Sequence, residues 1–226
     1  MRFVVSTKDV IQSLDFFKTL NTQQVELLAS FSKLSAYSKE YVLHYEKQES
    51  DTLLFLTHGL AKAYKIDKHK NEIFLYYIYK NSLLSEISDI KSDSLYSFSN
   101  IMLIEESKIL HINYKQFKKH FLEQHLLCSE FVNEIISRST QLQSLVNREF
   151  IFDSVAKVAM MIYSDIEMFN KLKRHEISLI LHIQPATLSR VLNRLKRNQI
   201  IDIIHSEVII LDPKALEAIY KEDEYD

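Results

Sequence analysis

Glycine is almost missing from this chain: Gly59 is the one glycine in 226 residues. Cysteine also occurs once, at Cys128, proline twice, at Pro185 and Pro213, and tryptophan not at all. Each shortage excludes a class of chemistry. One cysteine cannot make a disulfide framework, a zinc cluster or a four-cysteine iron–sulfur site within one chain. One glycine cannot make a glycine-rich phosphate loop, and neither a nucleophile elbow nor HExxH occurs. A metal enzyme on a cupin-like β-roll needs a histidine pair followed by a carboxylate, yet "VLHYEK" and "LTHGLAK" carry one histidine each. The expectation is therefore no catalytic residue and no metal site. The segment "MRFVVSTKDVIQSLDFF" mixes charges into its apolar residues. It reads as neither signal peptide nor membrane anchor, so the expected compartment is the cytoplasm, with no membrane partner. The scarcity of glycine fits an AT-rich coding bias, and it blurs any motif normally written with glycine.

What remains is ordinary for a soluble globular protein, with 46% hydrophobic and 26% charged residues. The net charge of −2 hides an uneven distribution. Between 171 and 197, Lys171, Lys173, Arg174, Arg190, Arg194, Lys196 and Arg197 face a single carboxylate, Glu176, a local excess of +6. A basic patch on a nearly neutral chain points to one nucleic-acid-binding end. The tail "KEDEYD" is acidic and reads as solvated.

The texture changes along the chain. Residues 6–30 read as helical, with Val25, Leu27, Leu28 and Phe31 on one face and Thr22 as N-cap. From 34 to 114, short runs rich in β-branched and aromatic residues ("YVLHY", "TLLFLTHGLAKAYKI", "EIFLYYIY", "SNIMLIEESKILHI") alternate with polar breaks, which predicts a sandwich, jelly roll or barrel. Gly59 falls where a turn needs positive φ. From 115 to 147 a long helix is expected. Phe121, Cys128, Phe131, Ile135, Leu142 and Leu145 form one stripe, interrupted by Gln124 and Arg138. Leu122, Leu126, Val132, Ile136 and Val146 form a second stripe. Both must be buried, one by the β domain and one by a partner chain. The first stripe is assigned to the dimer interface, with Cys128 read as a small buried hydrophobe. Asp153 is the natural N-cap of the next helix.

The stretch "RHEISLILHIQPATLSRVLNRLKRNQ" is the most informative. Ile177, Ile180 and Leu181 mark a short amphipathic helix; Leu188, Val191, Leu192 and Leu195 mark a second, about three residues later. Two helices across so short a turn make a helix-turn-helix. Pro185 fits at N1, where a missing N–H costs nothing. The opposite face then carries Ala186, Ser189, Arg190, Asn193 and Arg194, suited to a major groove. Thr187 and Arg194 are expected on phosphates, and Arg174, His175, Gln184, Pro185 and His205 complete the expected DNA-contacting set. "IIDIIHSEVIILD" reads as a hairpin, a wing with His205 and Ser206 at its tip. Asp212 and Pro213 open a last helix as N-cap and N1.

This arrangement resembles the Crp/Fnr family of bacterial transcription regulators. The family pattern "EIA..LG.S.ETVSR.L..L...G.I" is matched by Glu176, Ile177, Leu181, Thr187, Ser189, Arg190, Leu192 and Leu195. "LLFLTHGLAKAYKI" resembles its strand–Gly–strand signature at Gly59, and "LLSEISDI" its Gly-Glu element, with Glu86 kept. The resemblance implies an α+β protein with a jelly-roll or β-roll sensor domain (1–117), a dimerisation helix (118–147) and a winged helix-turn-helix (148–226). It implies a homodimer acting on near-palindromic, A/T-rich double-stranded DNA, with RNA polymerase as a further partner. His182 stands at the usual turn glycine, Gln184 at the usual N-cap serine, and Ala186 at a glutamate that reads cytosine. Alanine cannot accept from cytosine N4, so an A·T pair is expected there.

The signal is less defined. Cyclic-nucleotide-binding relatives hold the phosphate with an arginine, and no arginine lies between Arg2 and Arg138. A guanidinium–phosphate fork in the β domain is then excluded, and cAMP is not the expected effector. Iron–sulfur sensing lacks its cysteines. A haem-sensed gas such as nitric oxide remains open, with His44, His58, His69, His111, His120 and His125 as candidate ligands. So does a small apolar effector, for which Tyr76, Tyr77 and Glu86 are the candidate pocket. Two rivals stay on the table: a cupin-like β-roll enzyme, and a winged-helix dimer that binds protein.

Overall fold

A computed structural model describes residues 6–87 and 89–221; the first five residues and the acidic tail beyond Lys221 lie outside the described residues. The chain forms two compact units, Met1–Gln141 and Leu142–Asp226. The fold class is α+β, as the sequence predicts: an amino-terminal β-sheet unit and a carboxy-terminal helical one.

The first unit opens with α1 (Thr7–Ser13) and α2 (Thr22–Ser30). Asn21, one residue before the expected Thr22, is the N-cap of α2: its side chain accepts from the Gln24 N–H while the Gln24 side chain accepts from the Asn21 N–H. Leu27 is exposed, so the core face of α2 is Val25 and Leu28 alone.

Ten strands follow: β1 (Ser32–Tyr37), β2 (Val42–His44), β3 (Glu49–Ser50), β4 (Thr52–His58), β5 (Ala61–Ile66), β6 (Glu72–Ile78), β7 (Ser82–Leu83), β8 (Leu95–Tyr96), β9 (Asn100–Leu103) and β10 (Ser107–Asn113). They pair antiparallel as two four-stranded sheets, β1-β10-β4-β7 and β2-β9-β5-β6, with β3-β8 as a separate ribbon. Leu54, Leu56 and Ile109 of the first sheet pack against Ala61, Ala63, Ile78, Ile101 and Leu103 of the second, the interior of a jelly roll. The reverse face of the first sheet, with Leu53, Phe55, Leu110 and Ile112, packs on α1, α2 and the segment after β10. This explains the unbroken run Leu53–Leu56: β4 is buried on both faces, so it does not alternate. Gly59 adopts φ +96°, and a Cβ there would lie 2.2 Å from Ser107 Oγ and 2.8 Å from the Glu106 carbonyl oxygen, so no other residue fits.

The segment expected as one helix over 118–147 is broken. Helix α3 (Tyr114–Phe117) runs into a π-helical turn at Lys118–Leu122, and His125 and Leu127 then take positive φ (58° and 62°) before α4 (Cys128–Val146) begins. The reason is the first unit's own core. Phe121 and Phe131 are buried in an aromatic cluster with Phe17, Phe55 and Phe117, and the chain folds back to insert both. Two of the residues assigned to a partner are therefore core. Cys128 is exposed rather than buried. Ile135 and Leu142 are about half exposed, Leu145 is partly buried, and Val132, Ile136 and Val146 of the second stripe are also exposed.

An arginine does reach the β-roll, contrary to the expectation from sequence position. Arg138 of α4 donates from Nη1 to the Tyr76 hydroxyl (3.1 Å), from Nη2 to the Leu83 carbonyl, and from Nε to Glu134 (3.1 Å). Each of the three nitrogens makes one bond within the protein.

The second unit contains a π-helical turn (Asn147–Ile151), α5 (Ser154–Ser164), α6 (Ile166–Lys171), α7 (Arg174–Ile180), α8 (Pro185–Arg197), the hairpin β11 (Ile201–Ile204)–β12 (Glu207–Ile210), and α9 (Pro213–Ala218). Asp153 and Asp212 cap α5 and α9 with their side chains.

Candidate nucleic-acid interface

The turn between α7 and α8 is built without glycine. The Ile183 N–H donates to Ser178 O (3.0 Å) and the His182 N–H to Leu179 O (3.2 Å), the two bonds of a Schellman cap. His182 takes the left-handed position, φ +50°. Its imidazole Nδ1 lies 2.7 Å from Glu149, whose other oxygen accepts from Arg148 Nε (2.9 Å). Burial works against the charge of Glu149, but the His182 and Arg148 bonds hold its pKa below the usual carboxylate value. Beneath the turn, buried Lys157 directs Nζ at the Leu181 carbonyl (3.4 Å). Glu149 and Lys157 both support the turn, and neither was singled out from the sequence. The signal for Lys157 was a cation inside the apolar run "SVAKVAMM"; Glu149 carried none, because its partner lies 33 residues on.

Gln184 occupies the N-cap with extended backbone and makes no side-chain cap bond; Pro185 takes N1, as expected. Leu188, Val191, Leu192 and Leu195 are all buried, and Ala186, Ser189, Arg190, Asn193 and Arg194 are all exposed on the other side. The geometry thus gathers five of the expected contacts on one surface, with Gln184 and Pro185 exposed at its amino-terminal end and Thr187 half-buried. Ser189 donates its hydroxyl to Pro185 O (3.1 Å), which leaves only its oxygen lone pairs for a ligand. Among the described residues neither Arg190 nor Arg194 has an acidic partner, whereas Lys196 is paired with Asp202 (2.7 Å).

Arg174 is half-buried with its guanidinium over the Phe169 ring (5.5 Å), and burial lowers its pKa; His175 is exposed. His205 and Ser206 form the two-residue wing turn, φ +50° and +74°, the signs a type I′ turn requires. Asn170 anchors the wing by exchanging two bonds with the Val208 backbone (2.9 and 2.8 Å).

Residues 159–219 match the profile of the Crp-like helix-turn-helix domain. The carboxy-terminal unit contains a Crp-like helix-turn-helix. Over 84–92% of its length the chain has the fold of Crp/Fnr-type regulators. A double mutant of CooA from Carboxydothermus hydrogenoformans aligns over 85% of this chain and 89% of its own, with TM-score 0.67 and 16% identity. FixK2 from Bradyrhizobium japonicum aligns over 84% and 98%, with TM-score 0.68 and 10% identity. A protein described as a transcriptional regulator of the Crp/Fnr family from Eubacterium rectale aligns over 92% and 98%, with TM-score 0.62 and 16% identity. No curated protein sequence matches the chain.

In the amino-terminal unit the three expected pocket residues are not brought together. Tyr76 is tied to Arg138; burial raises its phenol pKa, with the Arg138 charge pulling the other way. Tyr77 packs edgewise on Phe74 (4.8 Å between centroids). Glu86 accepts from the Phe98 and Ser99 N–H groups and from the Ser99 hydroxyl, pinning that loop. Glu86 alone of the three lines the pocket of the roll, which has a volume of about 170 Å³ and opens beside exposed Tyr41 and Gln48. Of the six candidate haem histidines, His44 and His111 line this cavity. His120 stacks on Phe31, and His58, His69 and His125 are exposed. Drug-sized ligands occupy roughly 300–1,000 Å³, so haem does not fit this cavity. Among the described residues no three His, Cys, Asp or Glu side chains converge on a metal site, and no helix is long and apolar enough to cross a membrane.

Proposed function

We propose that this protein is a homodimeric, sequence-specific DNA-binding transcription regulator that responds to a signal other than cAMP. The observation that carries the reading is the α8 surface. Five adjacent exposed side chains, Ala186, Ser189, Arg190, Asn193 and Arg194, lie opposite a fully buried apolar face, and among the described residues neither arginine has an acidic partner. A solvated surface helix normally balances its cations with i,i+4 carboxylates; α8 has none. Arg190 is assigned to a guanine or a phosphate, Arg194 and Thr187 to phosphates, and Ala186 to a thymine methyl. Arg174 and His175 at the start of α7, Gln184 and Pro185 at the start of α8, and His205 on the wing complete the contact set. The exposed stripe of α4 (Val132, Ile135, Ile136, Leu142, Val146) is the surface a second copy would cover. Two α8 helices related by a dyad would then read half-sites about 34 Å apart on near-palindromic DNA.

Arg138 bears on the signal. Three of its five N–H groups are bonded to Glu134, Tyr76 and Leu83, and Glu86 accepts three bonds from the Phe98–Ser99 loop. Both side chains are held by the protein's own groups, which supports an effector other than cAMP.

The test is selection of bound sequences from a random pool, followed by mobility-shift titration. Enrichment should give an inverted repeat with an A·T pair at the base facing Ala186, and binding should weaken steeply as salt rises. Arg190→Ala should cost about 1–3 kcal/mol of specific binding. An invariant G·C pair at that base, or unchanged affinity of Arg190→Ala, overturns the respective assignment. Retention on protein partners with no salt-dependent DNA binding favours the protein-binding reading.

A further inference from the structure

Asn193 differs from its neighbours on the α8 surface: it is neutral and holds a donor and an acceptor side by side. Its place around the helix says what that pair meets. At 3.6 residues per turn, each residue advances about 100° around the axis. Leu188, Val191, Leu192 and Leu195, all buried, then centre on a direction roughly 190° from Ala186. Asn193 and Arg197 fall within about 20° of Ala186, and Arg190 about 40° from it, so these exposed residues form the crest of the helix. Thr187 and Arg194 stand about 80–100° round on one flank, Ser189 and Lys196 about 60–80° round on the other. On that second flank Lys196 is bound to Asp202 of the wing (2.7 Å), and Ser189 has spent its donor on Pro185 O. A helix seated in a major groove turns its crest to the base edges and its flanks to the phosphates.

The Asn193 amide is open to a ligand. It is exposed, and among the described residues it makes no hydrogen bond. Two other asparagines commit theirs to structure. Asn100 bonds the Glu46 N–H and the Tyr64 carbonyl, and Asn170 exchanges two bonds with the Val208 backbone. Asn170 shows the preferred match of a carboxamide, a donor beside an acceptor. In the major groove adenine alone presents that match, its N6 amine beside N7. Guanine presents two acceptors, cytosine a donor, and thymine an acceptor and a methyl. Asn193 lies seven residues after Ala186, about 10.5 Å along the axis. Followed along the groove, that distance spans about two to three base pairs.

We infer that Asn193 is a specificity-determining residue of the α8 surface, its carboxamide accepting from N6 and donating to N7 of one adenine about two to three base pairs from the pair that faces Ala186. The inference rests on the DNA-binding reading above and adds a second read base to each half-site.

The full-length protein and its Asn193→Ala and Asn193→Asp variants are each taken through selection from a random duplex pool. Titrations then compare the recovered site with its single-base replacements and with an unrelated duplex. The side chain is exposed and unbonded, so both variants keep the fold. Wild type should require adenine at one position of each half-site, and any other base there should weaken binding about tenfold or more. Asn193→Ala should cut that preference below twofold, leave the preference at the base facing Ala186 intact, and bind the unrelated duplex as wild type does. Asn193→Asp, which can only accept, should move the preference to cytosine. An adenine requirement that survives Asn193→Ala, an equal loss on every duplex, or no move to cytosine in Asn193→Asp each overturns the inference while the regulator reading stands. Wild-type protein that binds every duplex alike removes that reading, and this inference with it.

Discussion

Helix α8 buries Leu188, Val191, Leu192 and Leu195 to 5% exposure or less, whereas α4, with the same kind of spacing, buries Phe131 and leaves Val132, Ile135, Ile136, Leu142 and Val146 about half exposed. An apolar stripe states that a face is to be covered and does not say by what. The cover of α8 lies within its own unit, on α5, α7 and β11. For α4, the unit's own core takes one aromatic from each side of the break at His125 and Leu127 and leaves the remainder of the stripe bare. Substitutions separate the two situations. Phe131→Ala should destabilise the first unit by about 3–5 kcal/mol, and Leu192→Ala the second by about 2–5 kcal/mol. Chemical denaturation followed by site-resolved amide exchange would measure both. Ile136→Ala should stay within about 0.5 kcal/mol in dilute monomer. Ile135→Glu combined with Leu142→Glu should leave each unit folded and shift sedimentation from dimer to monomer. Loss of folding in that variant would mean the stripe is covered within the chain.

The buried polar groups differ between the units in a parallel way. In the second unit, Lys157 donates to Leu181 O and Ser178 to Arg174 O. In the first, burial lowers the pKa of His44 from 6.5 to about 4, with the Ser99 backbone acting the other way. The unfolded chain therefore takes up a proton near pH 6.5 and the folded chain only near pH 4. Stability should be unaffected by this group above pH 6.5, and should fall by about 3 kcal/mol as the pH drops to 4. His111, also lowered by burial and then by the Lys33 charge, adds in the same direction. His44→Leu should flatten the His44 share of that slope. An unchanged slope in thermal unfolding between pH 7 and 4 would place the acid sensitivity elsewhere.

How much was legible follows from where each site's information lies in the chain. The α8 surface is local: one helix, one period, with a proline to fix its start, so Arg190 and Asn193 could be placed by counting. The wing was legible because two β-branched runs flank a short polar turn. The interior of the roll was not. His44, Leu54, Glu86 and His111 come from β2, β4, the loop after β7, and β10, and no spacing in the chain announces their meeting. Tyr76 and Tyr77 read as part of one aromatic wall in "EIFLYYIYK", but adjacent residues of a strand point to opposite faces. Arg138 was discounted by its position in the chain, although a helix carried it back to the sheet. The α4 break escaped because the residues at its positive-φ positions, His125 and Leu127, carry no turn signature.

That last failure comes from the missing glycine. Ten described non-glycine residues adopt positive φ, against one glycine. Two of them, His182 and Gln199, hold the same place in two Schellman caps: Gln199 N–H donates to Lys196 O (3.0 Å) and Ile200 N–H to Leu195 O (3.1 Å), as at the end of α7. The two differ in what their side chains do. Gln199 is exposed and makes no side-chain bond among the described residues, while His182 is held by Glu149. A left-handed backbone costs a residue with Cβ about 1 kcal/mol relative to glycine, less the extra chain entropy glycine loses on folding. Gln199→Gly should thus stabilise the second unit by roughly 0.5 kcal/mol. His182→Gly gains the same backbone relief but gives up the carboxylate bond and leaves partly buried Glu149 with Arg148 alone, so its net effect should be zero or destabilising. A double-mutant cycle of His182→Gly with Glu149→Gln, read by thermal unfolding, isolates the coupling. Equal stabilisation by both glycine substitutions would show that the imidazole contributes nothing to the turn that presents α8.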